Sequence, residues 1–182
     1  MRQTLIAKVE NKPGVLNRVA SLFRRRNFNI DSLNVGQTEN PKISRMTIVV
    51  DSKDTEARKV EANLYKLVNV VDVQDVTGQA VLLRELALVK VKAKNGQRAE
   101  IANLANIFGA KIIDVAEACV VVQIASGEEK VNSLVELLRP FGIVELVRTG
   151  HVAMMRGSTE GVRHTPGAGV NGSAKSTNGY HS

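Results

Sequence analysis

Aromatic residues are almost missing from this 182-residue chain: there is no tryptophan, and two tyrosines and four phenylalanines amount to 3% of the sequence. A core must then be built from Val, Leu, Ile and Ala, which the 43% apolar content supplies, and a sheet that stacks RNA bases on paired aromatics is disfavoured. There is one cysteine, Cys119, inside a Val-rich stretch with no ligand-spaced partner. It excludes a disulfide framework and is read as a buried structural thiol. Apolar runs such as Cys119 to Val122 fall far short of a membrane span, and the chain opens without a hydrophobic h-region or an Arg/Ser-rich leader. A soluble, cytoplasmic protein is expected.

Catalytic constellations are missing too. No HExxH, GxSxG, CxxC or Walker-type sequence occurs, and the histidines, His151, His164 and His181, stand at or beyond the end of the patterned part. Asp31 and Asp114 are single carboxylates on expected strands, read as hairpin or surface residues. No catalytic, cofactor-binding or metal-ligating set is therefore assigned. The formal charge of +7 raises the question of an anionic partner. Its distribution answers against nucleic acid: Arg24-Arg25-Arg26 closes a helix, where cations complement the dipole and Asn27 can end the turn.

What the chain does have is a strand that breaks at Glu10-Asn11-Lys12-Pro13-Gly14-Val15-Leu16 and runs into a helix. Leu5, Ile6, Ala7 and Val9 precede the break, and Val15, Leu16, Val19, Leu22 and Phe23 follow at helical spacing. Pro13 suits a first helical position, and Gly14 keeps bulk away from the turn. Neither Lys12 nor Pro13 caps well, and Asn11 lies slightly too early to do so. A free helix start beside a glycine backbone and a carboxamide can receive a small carboxylate. The plainer alternative is a mere turn.

Beyond a helix over about 14–26, strands are expected at Asn29–Gly36 and Ile43–Val50 around the polar turn 37–42, then a helix at 55–68 capped by Ser52 or Asp54 with Ala57, Val60, Leu64, Leu67 and Val68 inward, then a strand at Val70–Val76. The order is βαββαβ. It returns about eighty residues later: a strand at Glu85–Ala93, a helix at 97–108, strands at Ile112–Glu117 and Cys119–Ala125, a helix opened by the capping box Ser126-x-x-Glu129, and a strand at Ile143–Arg148. Ile30-Asp31 echoes Ile113-Asp114. The second turn, Lys94-Asn95-Gly96-Gln97, lacks Pro-Gly and has Asn95 placed to cap, so the receptor-like turn is expected once only. The fold class is α+β: two ferredoxin-like βαββαβ units in tandem, 1–78 and 79–157, followed by a disordered tail at 158–182 poor in large apolar residues. Helices on one side leave the other sheet face open. Since strand residues of both parities are apolar (Ile48 to Val50, Val120 to Val122), that face or an edge should be covered by the sister unit or another subunit, and a dimer is expected.

Asn11-x-Pro13-Gly14-x-Leu16 after a first strand resembles the signature of ACT domains, the amino-acid-sensing regulatory modules. The fuller run Asn11 to Val19, followed by Asn27-Phe28-Asn29-Ile30-Asp31-Ser32-Leu33, Ser44-Arg45-Met46-Thr47-Ile48 and Ala110 to Val115, resembles the regulatory small subunit of acetolactate synthase (acetohydroxyacid synthase) over about residues 1–157. The resemblance implies a non-catalytic subunit that activates a catalytic large subunit, carrying thiamine diphosphate, Mg and FAD, that turns two pyruvates into 2-acetolactate and CO2. It also implies feedback inhibition by valine in branched-chain amino acid biosynthesis. The effector would lie between the first domains of a homodimer, held by Asn11, Gly14, Val15 and Leu16 of one chain and Asn29 and Ile30 of the other. The resemblance leaves the chain itself without a cofactor. The competing readings are an amino-acid-sensing transcriptional or nucleic-acid-binding regulator and an unrecognised enzyme.

Overall fold

In the computed structural model, residues 2–51, 54–94 and 96–157 are described, with side chains except at 54–58. The expected caps at Ser52, Asp54 and Asn95, the inward Ala57, and the tail with His164 and His181 lie outside that description. The elements are β1 (Arg2–Glu10), α1 (Val15–Arg25), β2 (Asn29–Gln37), β3 (Ile43–Asp51), α2 (Asp54–Leu64), β4 (Val70–Asp75), β5 (Val81–Lys92), α3 (Gln97–Ile107), β6 (Lys111–Val115), β7 (Cys119–Ser126), α4 (Glu128–Leu138), β8 (Ile143–Arg148) and β9 (Val152–Met155). Two antiparallel sheets result, ordered β2-β3-β1-β4 and β6-β7-β5-β8. This is the α+β architecture of tandem ferredoxin-like units.

Period-two alternation puts Leu5, Ala7 and Val9 of β1 and Met46, Ile48 and Val50 of β3 on one face, where Val15, Val19 and Phe23 of α1 and Val60 and Leu64 of α2 close the first core. Asn27, at φ +55, ends α1 as expected, and Phe28 turns back to meet Phe23 edge-on, ring centroids 6.0 Å apart. In the second unit Ala87, Val89 and Val91 of β5 and Val120, Val122 and Ile124 of β7 pack against Ile101 and Ala105 of α3 and Val131, Leu134, Val135 and Leu138 of α4. Burying one such side chain stabilises by about 1.5–3 kcal/mol.

Several expectations need correction. Helix α2 ends at Leu64 because Lys66 and Leu67 bond to carbonyls three residues back, at Asn63 and Leu64, while the Tyr65 hydroxyl accepts from the Val73 N–H and donates to its carbonyl, both at 3.0 Å. Val68 is left 93% exposed, not inward. The box Ser126-x-x-Glu129 does not form: Ser126 still pairs with Glu85 in the ladder, Gly127 takes the cap position, and no side chain caps α4. Cys119 is half-buried, at the start of β7 opposite Lys92. The echo of Ile30-Asp31 is displaced by one residue, since the β2 bulge skips Asp31 and the β6 bulge skips Ile113.

Strand β9 was not foreseen. It pairs with Val81–Arg84, an N-terminal extension of β5, and this ribbon lies on the open face of the first sheet. Ala153, Val81 and Leu83 cover Ile6 and Val76 there. Arg45 Nη2 donates to the Ala153 carbonyl at 2.8 Å, the Ala153 N–H donates to Thr47 Oγ1 at 3.3 Å, and the His151 N–H donates to Ser32 Oγ at 2.8 Å. The sister unit thus covers the first open face within one chain.

Gly150 fits this junction for two reasons: its φ is +79, and a Cβ there would stand 2.5 Å from Ser32 Oγ. Gly150→Ala should cost about 2 kcal/mol or more, through left-handed strain plus the clash. Ser32→Ala alone removes the acceptor of the His151 N–H, so the clash part is read as the coupling in the double-mutant cycle by urea unfolding: Gly150→Ala should cost less in the Ser32→Ala background than in the wild type but still cost something, and no cost at all there would mean that the backbone is not strained.

Candidate functional site

The turn between β1 and α1 is tied down at one residue. The Asn11 N–H donates to the Lys42 carbonyl at 2.7 Å and Asn11 Nδ2 to the Pro41 carbonyl at 2.9 Å, so the turn is fastened to the β2–β3 hairpin and Asn11 Oδ1 is left as an acceptor. Gly14, at φ +82, is the N-cap of α1, which corrects the expected role of Pro13: the proline precedes the cap. A left-handed cap explains the glycine better than a wish to avoid bulk. No side chain caps α1, and no acidic residue stands in its first turn. The N–H groups of Leu16 and Asn17 have no partner among the described residues, and they sit at the positive end of the dipole.

Around this start the charges are ordered by Asn69. Its amide donates to Glu10 Oε2 at 2.5 Å, and its Oδ1 accepts from Arg18. Lys12 Nζ lies 3.2 Å from Glu10 Oε1. The Asn69 hydrogen bond first, and Lys12 second, hold the Glu10 carboxyl below the usual carboxylate range. Val15 is 4% exposed and packs in the core, so it offers the site its backbone only. Leu16, 45% exposed, is the apolar side chain at the surface there.

Asn29 and Ile30 are not brought to this turn within the chain. Asn29 pairs with Asp51, which also faces Arg2, whereas Glu10 faces Ile43 at the far end of the sheet. At about 3.3 Å per strand residue, Asn29 and Asn11 stand roughly 25–30 Å apart along the strands. Ile30 points toward the first core and is half-buried. Asn29 Nδ2 donates to Asp31 Oδ1 at 3.0 Å, Asp31 Oδ2 lies 3.6 Å from Arg2 Nε, and Arg2 Nη1 donates to Glu128 Oε2 at 2.6 Å. The hydrogen bond from Arg2 holds the Glu128 carboxyl low, and the same bond raises Arg2. Arg2 and Glu128 were missed because 126 residues separate them and no local pattern marks either.

The start of α3 has the same left-handed glycine cap. Gly96 is the N-cap of α3 at φ +86 with no side-chain cap, so the geometry occurs twice, against the expectation of once. The surroundings differ: Gln97 Oε1 accepts from the Lys94 N–H at 3.0 Å, and Glu100 supplies a carboxylate in the first turn. Of α1, α3 and α4, α1 alone has no acidic residue in its first turn. Among the described residues no three His, Cys, Asp or Glu side chains could hold a metal together, and no helix is long and apolar enough to cross a membrane.

Residues 5–72 match the AHAS small subunit-like ACT domain, and residues 84–157 match the family described as small subunit of acetolactate synthase. The chain belongs to the acetolactate synthase small-subunit family. It is 48% identical over 158 residues to a probable acetolactate synthase small subunit of Archaeoglobus fulgidus, covering 87% of this chain and 99% of that one. It is 38% identical over 161 residues to the acetolactate synthase small subunit of Bacillus subtilis, covering 88% and 94%. The crystal structure of the acetolactate synthase small subunit from Thermotoga maritima superposes with a TM-score of 0.81 at 39% identity, covering 87% of this chain and 99% of that one.

Gly14→Ala should destabilise by about 1–2 kcal/mol and Gly14→Asn by less, because asparagine tolerates the left-handed region; equal losses in urea would contradict the cap conformation. Acid should act through Glu10. Its folded pKa is depressed, so its contribution is present above the unfolded value of about 4.3 and fades as pH falls through the lower folded value. Glu10→Gln should flatten that part of the stability profile.

Proposed function

We propose that this chain is the non-catalytic regulatory subunit of acetolactate synthase. In this reading it activates the thiamine-diphosphate-dependent catalytic subunit and confers feedback inhibition by valine in branched-chain amino acid biosynthesis. The observation that carries the sensing role is the start of α1, which lacks both a side-chain cap and an acidic residue in its first turn although Asn11 holds it in a fixed place. The effector carboxylate would take the Leu16 and Asn17 N–H groups and the backbone around Gly14 and Val15. Asn11 Oδ1 would accept from the ammonium.

The missing half comes from a second copy. Strand β2 is an edge of its sheet, and two copies pairing antiparallel along β2 about a two-fold axis would set residue 29 of one against the Gln37 end of the other. That end is level with Lys42, hence with Asn11. Such pairing supports a homodimer in which Asn29 and the backbone of Ile30 of the second copy complete the pocket, with Leu16 contacting the branched side chain. The 25–30 Å within one chain then presents no difficulty.

The route to the catalytic subunit follows the same fastening. Asn11 is bonded to Pro41 and Lys42, so an effector that shifts Asn11 acts on the hairpin 37–42, the surface we assign to contact with the large subunit. A coupling of roughly 1–3 kcal/mol between arrangements would give about 5- to 150-fold control.

Asn11→Ala and Asn29→Ala should each abolish valine inhibition of the reconstituted holoenzyme while leaving its activation intact. The measurement is the rate of acetolactate formation with and without valine. Joint loss of activation and inhibition in both variants would overturn this division of labour.

A further inference from the structure

A cavity of about 360 Å³ opens between the two units, within the roughly 300–1,000 Å³ range of small-molecule sites. Its apolar lining is Val49 and Val76 from the first unit with Val81 and Leu83 from β5, and Thr4, Thr77 and Gln79 add uncharged polar groups. Its polar side is charged in a particular way. Glu128 Oε2 accepts from Arg2 Nη1 at 2.6 Å and lies 3.3 Å from His151 Nε2, while Oε1 takes part in neither contact. Arg2 uses Nη1 and Nε, toward Glu128 and Asp31, and Nη2 is in neither. His151 is only 8% exposed at its side chain, and its Nδ1 is a buried ring nitrogen with no partner among the described residues.

We propose that this cavity is a second binding site, for a small zwitterion with an aliphatic side chain, that is, an apolar α-amino acid. One side of the cavity offers a guanidinium N–H for a carboxylate and, on the side chain it is paired with, a carboxylate oxygen for an ammonium. Val49, Val76, Val81 and Leu83 are the apolar part of the same lining. A single anion would meet Glu128 and a single cation would meet Arg2, each at a like charge, so the site discriminates for molecules carrying both. The ligand would bridge β1 and α4, and so lock the two units together. Through Arg2, Asp31 and Asn29 it would also bear on the start of β2. The inference does not rest on the reading of the α1 start.

The test is methyl NMR of the full chain titrated with L-valine, with isobutyrate and isobutylamine as single-charge comparisons, reading Val81 and Leu83 for the cavity and Leu16 for the α1 start. Expected are saturable shifts at Val81 and Leu83 with valine and none with either comparison. Glu128→Gln should weaken them about tenfold or more, as loss of a charge-assisted hydrogen bond does, and Leu83→Phe, read at Val81 alone, should abolish the shift there by filling the space. Leu16 should respond alike in both variants. The proposal is overturned by any of three results: no saturable shift at Val81 and Leu83, shifts there that vanish together with those of Leu16 in Asn11→Ala, or a Val81 shift unchanged by Glu128→Gln and by Leu83→Phe. Shifts at Val81 and Leu83 without any at Leu16 would uphold the cavity and count against the α1 site.

Discussion

A sheet with helices on one side must still do something with its other side, and in this chain the first sheet's open face is settled by β5 and β9. Ile6 and Val76 would be exposed apolar surface on an isolated unit; Ala153, Val81 and Leu83 remove them from water. The contact is fixed as well as covered, because Arg45, Thr47 and Ser32 bond to the backbone of the segment 151–153. Everything that joins the units follows from this: the approach at Gly150, the Arg2–Glu128 pair, and the cavity beside them. Those exposed ion pairs add little stability of their own, of the order of 0–1 kcal/mol, so the apolar contact carries the junction and the charges set its geometry.

The start of α1 is a compromise of another kind. In an ordinary cap conformation Ser, Thr, Asp or Asn would satisfy a first-turn N–H and be worth a few tenths of a kcal/mol over glycine, and α1 has none of them, its cap being a left-handed Gly14. The helix can stand this because Val15, Val19 and Phe23 anchor it in the first core and Arg24 and Arg25 complement its far end. Stability drawn from packing leaves the N–H groups of the first turn uncommitted, which a ligand site at that place requires. At α3 the same left-handed glycine is accompanied by Glu100 and by the Gln97 side chain, and the helix packs through Ile101 and Ala105. The backbone motif is shared, and the electrostatics distinguish the two.

What the sequence disclosed and what it hid follow from range. The βαββαβ order, both helical core faces and the Pro-Gly turn depend on residues within one or two turns or strand pairs, so periodicity and glycine positions carry them. Asn27 in the left-handed region is legible for the same reason. The failures lie where tertiary contacts override local rules: Ser126 stays in the β7 ladder opposite Glu85, and Tyr65 reaches Val73 and pulls the chain out of α2 before Val68. Strand β9 has only four residues, with Met154 and Met155 among them, and its partner lies some seventy residues earlier. No short window contains that pairing. Of the site, the Asn11 and Gly14 turn could be read directly, whereas the burial of Val15 beside the exposure of Leu16 depended on the exact face that α1 presents.

The two ends of the first sheet carry different connections, and the antiparallel registers make this consequential. At one end Asn11 is bonded to the hairpin; at the other Asn29 leads through Asp31 and Arg2 to Glu128 on α4. Under the proposed two-fold pairing of β2, a pocket completed by Asn29 of the second copy would touch the hairpin of one chain and the interunit junction of the other. One ligand would then bias two elements that no single chain places within reach of each other. Such an arrangement needs no rearrangement inside either core, since the packed clusters around Phe23 and Leu134 lie on the helix side of each sheet and the connections run through surface carboxylates and carboxamides. Coupling carried by polar surface groups is weak per contact, and it becomes effective when the same ligand engages both ends at once.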